Sequence, residues 1–139
     1  MRAFKMLILT LSALLIIAAA GALPVKPCFE GGSGYTFYCG TSSADCKCVT
    51  ATVSPAAEKL RLKNICGESA DFENFGLESF LKKYGAEVVF TEETDGATNY
   101  YCTADLPYSV NLYGKEINLH VCVRGGSARV ASPIIFGGY

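Results

Sequence analysis

The sequence predicts an α+β domain: a mainly antiparallel β-sheet of about five to seven strands, one helix packed on a face, and disulfide stabilisation. Three observations predict it. Residues 116–124 alternate strictly, with Ile117, Leu119, Val121 and Val123 on one side and Asn118, His120 and Cys122 on the other. Leu77, Phe80, Leu81 and Tyr84 fall at i, i+3, i+4 and i+7, one stripe of a 3.6-residue repeat. All seven cysteines follow an N-terminal segment with the composition of an export signal.

That segment opens with Arg2 and Lys5, continues through an apolar stretch from Met6 to Ala20, and closes on small residues at Ala20-Gly21-Ala22. A positive start, a short apolar core and a small-residue site are the order of a cleavable secretory signal. Residues 1–22 are expected to be removed, and the apolar core is shorter than the roughly 20 residues of a membrane span. Residues 23–139 are then a single extracellular domain, secreted, with no membrane insertion after cleavage. Without Arg2 and Lys5 the mature chain carries 10 Lys+Arg against 13 Asp+Glu, a net charge of −3. Such a balance argues against nucleic acid, whose binders cluster excess positive charge.

The elements follow in order. Leu23 to Pro27 is an extended lead-in, and Glu30 to Gly34 a glycine-rich turn. Tyr35 to Cys39 has the aromatic and β-branched bias of a strand, and Cys46 to Val53 alternates as a second. Ser54-Pro55-Ala56-Ala57-Glu58 carries helix-start chemistry, but Lys59 to Lys63 alternates with period two. A helix would set Leu60 and Leu62 about 200° apart. The reading favoured is a hairpin with Ser54 to Glu58 as its loop and the leucines inward; a short helix is the alternative.

The helix is expected over 72–84, with Asp71 or Asn74 as its cap, Lys82 and Lys83 in the last turn, and Gly85 as the stop. Beyond it, Ala86 to Thr91 and Ala97 to Thr103 flank an acidic turn ending in Asp95-Gly96. Tyr108 to Tyr113 and Glu116 to Arg124 flank a turn expected at Gly114-Lys115. Residues 128–136 add an edge strand that Pro133 interrupts.

In an exported domain the cysteines at Cys28, Cys39, Cys46, Cys48, Cys66, Cys102 and Cys122 are disulfide candidates. Seven is odd, so one is left over, either free or joining two copies as a disulfide-linked homodimer. Cys46 and Cys48 sit too close along an extended chain to bridge each other easily. Two or three bridges are expected to tie the Cys28–Cys66 part to itself and to the strands bearing Cys102 and Cys122.

Catalytic chemistry is thinly represented. His120 is the only histidine, which closes two-histidine acid/base or zinc mechanisms. His120 and Cys122 share one strand face, so a Cys–His nucleophile pair is geometrically conceivable; a polar-face imidazole is the favoured reading. Cys46-Lys47-Cys48 lacks the C-x-x-C spacing of redox and zinc motifs. Glu92, Glu93 and Asp95 lack the spacing of a calcium loop and read as a solvated turn. Lys47, Lys59, Arg61 and Lys63 would line the outer side of the first hairpin, a solvated strand face or a small basic patch. Tyr35, Tyr38, Tyr100, Tyr101, Tyr108 and Tyr113 cluster around strands, and any left on the surface make good contact residues. No cofactor or metal is expected.

These features favour a secreted, cysteine-rich, non-enzymatic binding protein, effector-, toxin- or inhibitor-like, acting on an extracellular protein or matrix component. A structural component of an extracellular or mineralised matrix is the alternative, and a small secreted hydrolase the second.

Overall fold

The computed structural model describes residues 1, 5–12, 15, 26–41, 44–52 and 54–137. The cleavage point expected after Ala22 lies outside them. Residues 5–12 are helical, with Met6, Leu7, Ile8, Leu9 and Leu11 exposed. Among the described residues, no helix is long and apolar enough to cross a membrane.

Among the described residues nine strands and two short helices follow: β1 (Gly34–Cys39), β2 (Lys47–Thr50), α1 (Pro55–Arg61), β3 (Ile65–Phe72), α2 (Leu77–Lys83), β4 (Glu87–Thr94), β5 (Ala97–Thr103), β6 (Val110–Leu112), β7 (Lys115–Ile117), β8 (Leu119–Arg124) and β9 (Ser127–Ser132). Seven strands form one sheet in the order β2-β1-β3-β9-β8-β5-β4, and β6 with β7 makes a separate ribbon. Every neighbouring pair is antiparallel. The mainly antiparallel α+β architecture is therefore as the alternation patterns predict. The seven cysteines stand as thiols.

Residues 54–62 correct the hairpin reading. Ser54 is extended and its side chain accepts a hydrogen bond from the Ala57 N–H, Pro55 opens the helix, and the Leu62 N–H reaches the Glu58 carbonyl. Capping a first-turn N–H and pre-setting φ with proline fix the helix locally. The period-two argument failed because it required Leu60 to be inward, whereas Leu60 is 66% exposed.

The segment 65–72 is a strand that the sequence reading did not identify; it used Asp71 and Phe72 at the start of the helix. Phe72 belongs to β3, and α2 starts at Leu77 behind Gly76, with no side-chain cap. Asp71 pairs with Arg129 through two hydrogen bonds of 2.6 and 3.1 Å, and Asn74 turns the chain at φ 52°; neither caps the helix. Gly67 is required where it is: a Cβ there would meet the Ser132 carbonyl at 2.7 Å.

Three further boundaries shift. The ribbon turn is Tyr113-Gly114, with φ of 53° and 77°, instead of Gly114-Lys115; positive φ at both central residues matches strand twist. The alternating run 116–124 divides at Asn118, whose side-chain amide hydrogen-bonds both the N–H and the carbonyl of Ala104. Residues 127–132 form no edge strand: β9 is the middle strand, between β3 and β8, and ends at Ser132. The true edges are β2 and β4.

One sheet face carries the main core. Phe29, Ala70, Phe80, Cys102, Leu119, Val121 and Val130 are buried together there, with Tyr35, Phe72, Leu77, Leu81 and Tyr84 packed around them. The register puts the opposite residues, among them Asp71, Tyr101, His120, Cys122 and Arg129, on the other face.

Candidate functional site

The most structured polar and aromatic assembly lies on that other face. Its residues come from β4, β5 and β8, whose registers set Phe90 opposite Tyr101, Tyr101 opposite His120, and Glu92 opposite Asn99 opposite Cys122. Three rings stack in consequence. Phe90 and Tyr101 lie 4.5 Å apart between centroids at 17°, and Tyr101 and His120 lie 4.4 Å apart at 17°. Tyr113, from the ribbon turn, meets Phe90 edge-on at 5.9 Å and is itself 85% exposed. The stack runs from the buried interior to a surface tyrosine at the rim of the β4 edge.

His120 anchors the inner end. It is 7% exposed, and both ring nitrogens are engaged: Nε2 with Asn99 Oδ1 at 2.9 Å, Nδ1 with the Ile135 N–H at 3.2 Å. A backbone N–H can only donate, so Nδ1 accepts, the proton sits on Nε2, and Asn99 Oδ1 receives it. Burial lowers the imidazole pKa to about 4, so the ring is neutral at neutral pH. Its work is mechanical. It fastens the segment after β9 across the sheet, where Phe136 meets Tyr38 edge-on at 4.9 Å.

Cys122 does not form the conceivable dyad, because both His120 nitrogens are spent on Asn99 and Ile135. Burial pushes the Cys122 thiol up, against the opposing pull of Arg124 and Arg129. Tyr101 is raised to about 12, first by burial and then by Glu92, through charge and a hydrogen bond. None of these three groups is poised to exchange protons near neutrality.

The other expected groupings come apart. Glu92 and Glu93 project to opposite faces of β4, and Asp95 occupies the turn at φ 51°. Among the described residues, no group of three His, Cys, Asp or Glu side chains could hold a metal ion. Lys47 lies on β2, Lys59 and Arg61 on α1 and Lys63 beyond it, so they share no hairpin face. Of the tyrosines, Tyr38 is buried, while Tyr35 accepts a hydrogen bond from the Gly32 N–H through its hydroxyl.

Sequence reasoning missed the polar centre on the helix side. Glu68, 2% exposed, accepts from Lys59 Nζ and from the Cys28 N–H, both at 2.8 Å on Oε1. Lys59 Nζ also donates to the Lys26 carbonyl at 3.0 Å, so one ion pair ties α1 and residues 26–28 to β3. Among the described residues Glu68 Oε2 has no hydrogen-bond partner, and burial first, then the neighbouring Glu68 carboxylate through a hydrogen bond and its charge, drives the Cys28 thiol far up. That thiol is no nucleophile at neutral pH. The missed signal was a carboxylate in the alternation Cys66, Glu68, Ala70, Phe72, which marks a buried partner to be found. An open cleft of about 270 Å³ lies at the start of α2 among Phe72, Phe75, Phe80 and Ser79, with Glu30 and Lys83 at its rim.

No protein-family model, no curated protein and no solved structure matches the chain.

Proposed function

We propose that the chain is a secreted, cysteine-rich, non-enzymatic binding protein that engages an extracellular partner through the Tyr113–Phe90–Tyr101 ledge and the adjoining β4 edge. One observation carries this reading: Tyr113 stands 85% exposed on the end of a ring stack that the fold braces down to buried His120. A large ring held on a rigid support offers contact area at little ordering cost, and tyrosine adds a polar tip. The strand beside it supplies a complementary device. β4 is eight residues long and ends the sheet, so its outer backbone groups are open to an added strand. Glu87, Glu92 and Glu93 on it favour a partner with basic side chains, whose cations also suit aromatic faces.

The test begins with secretion from a eukaryotic host, where N-terminal sequencing is expected to read from Leu23. The secreted chain, immobilised, is then offered the extracellular proteins of its source alongside Tyr113→Ala and Phe90→Ala variants. The expected result is a partner whose affinity falls at least about tenfold in both variants, the weight of an interface anchor. Hydrogen exchange should slow along β4 in the complex. A partner held equally by all three proteins, with protection elsewhere, would overturn the assignment of the surface. Turnover of an ester, peptide or glycoside that His120→Asn abolishes would overturn the non-enzymatic reading.

A further inference from the structure

Four of the seven cysteines gather at one end of the sheet: Cys39 closes β1, Cys46 and Cys48 bracket the start of β2, and Cys66 is the second residue of β3. β1 lies between β2 and β3, and its register to β3 shifts between Tyr38 and Cys39, where Tyr38 pairs with Gly67 but Cys39 with Ile65. Cys66 is the residue passed over by that shift. Its thiol points back over β1, donating to the Tyr38 carbonyl at 3.4 Å. On the other flank the chain closes in over Gly40, whose missing Cβ would stand 3.0 Å from the Cys46 Cα. The two thiols thus meet above the end of β1, with Cys46 Sγ and Cys66 Sγ 3.9 Å apart. By contrast, Cys102 and Cys122 cannot reach each other. Cys102 pairs with Leu119 and lies in the helix-side core, while Cys122 pairs with Asn99 on the opposite face.

We infer that Cys46 and Cys66 form an intrachain disulfide, a staple joining β2 to β3 across the end of β1. The inference rests on the secretory reading, which supplies an oxidising compartment. A cystine needs its sulfurs about 2 Å apart, and the loop end that carries Cys46 closes the remaining distance. The chemistry is thiol–disulfide exchange with a protein or glutathione disulfide of the export pathway. One thiolate attacks that disulfide and expels a thiolate, giving a mixed disulfide. The second thiolate then displaces the other half. Two protons and two electrons leave the Cys46 and Cys66 thiols, and the oxidant departs as two thiols. Burial and the neighbouring Cys66 raise the Cys46 thiol to about 11, which makes uncatalysed oxidation slow at neutral pH and gives the exchange catalyst its role. Using these two leaves five thiols, so any further pairing still strands one.

The experiment is peptide mapping of the full chain, secreted from a eukaryotic host, alkylated without reduction and cut with trypsin and an Asp-specific protease. The expected species is the tripeptide Asp45–Lys47 joined to the peptide Asn64–Ala70, separating on reduction. Cys46→Ser should abolish it and leave Cys66 alkylated, and Cys66→Ser should do the reverse. Both cysteines found alkylated in the secreted, folded protein, or either joined to another cysteine, would overturn the pairing. If the chain is retained in the cell, the secretory reading fails. The pairing is then decided on the purified reduced protein treated with oxidised glutathione, where the same linked peptides are expected and their absence overturns it.

Discussion

The two faces of the sheet are built on different principles. The helix side is an aromatic and aliphatic core, with Phe29, Phe80, Leu119, Val121 and Val130 buried together and a ring cluster of Phe72, Phe75, Phe80 and Tyr84 around α2. Its attraction is non-directional and scales with buried area. The other face is held by directional contacts: Arg129 on Asp71, Asn99 and Ile135 on His120, Phe136 edge-on to Tyr38. It is closed by an irregular segment after β9 instead of a helix. The lesson is a division of labour, in which one face supplies stability and the other fixes the geometry of an aromatic ledge at the surface.

The largest loss of stability is expected on the helix side. Phe80 touches Phe29, Phe72, Phe75 and Tyr84, so Phe80→Ala empties the middle of the cluster. A loss of about 3–5 kcal/mol is expected from urea unfolding, enough to unfold a domain of ordinary stability.

Removing one member of the buried ion pair ranks close behind. Lys59→Met leaves Glu68 charged at 2% exposure with only the Cys28 N–H on Oε1, and about 3–5 kcal/mol is expected to be lost. Changing both residues, Lys59→Met with Glu68→Leu, removes the stranded charge and should recover most of that loss. If the double variant is no more stable than the single, the cost lies in α1 packing and not in the carboxylate.

How far the sequence foretold this division depends on whether each signal was local. The strand around Val121 was legible because every inward residue from Ile117 to Val123 is aliphatic. The α2 stripe was legible for the same reason, and Asp95-Gly96 because a turn needing positive φ selects its own residues. β3 was hidden because Glu68 breaks its core side and Gly67 and Ser69 weaken the other; Glu68 answers Lys59 on α1, and Gly67 leaves room for the carbonyl of Ser132 at the end of β9. The central place of β9 is sheet order, which no local pattern encodes. α1 was legible in its cap and was misread because periodicity was weighed above capping. The ledge was half visible: the tyrosines were singled out, but the stack depends on a cross-strand register of Phe90, Tyr101 and His120.

The directional face is sharpened by acid. His120 has a pKa of about 4 in the folded protein against 6.5 when exposed. The unfolded chain therefore binds a proton first as pH falls, so this contribution is complete above pH 6.5, drains away down to pH 4 and changes no further below it. A difference of that size corresponds to about 3 kcal/mol. Other groups contribute over the same range, so the measurement is the loss of unfolding free energy from pH 7 to pH 4 in the native chain minus the same loss in His120→Gln. A positive difference confined to that window is expected; equal losses would mean that the ring is not buried as a neutral acceptor.

The smallest effect is the most pointed. Tyr113 sits at the φ 53° position of the ribbon turn, is 85% exposed and meets Phe90 edge-on. Tyr113→Gly relieves the turn and removes that contact, so unfolding free energy should move by no more than about 0.5 kcal/mol in either direction. Phe90→Ala, which takes away the ring stacked on Tyr101, should cost more. If Tyr113→Gly instead destabilised the domain as Phe80→Ala does, the ring would be core in all but exposure, and the ledge would lose its claim to be a surface. Stability without Tyr113 would mean that the residue is positioned by the fold but not needed by it, as a contact residue should be.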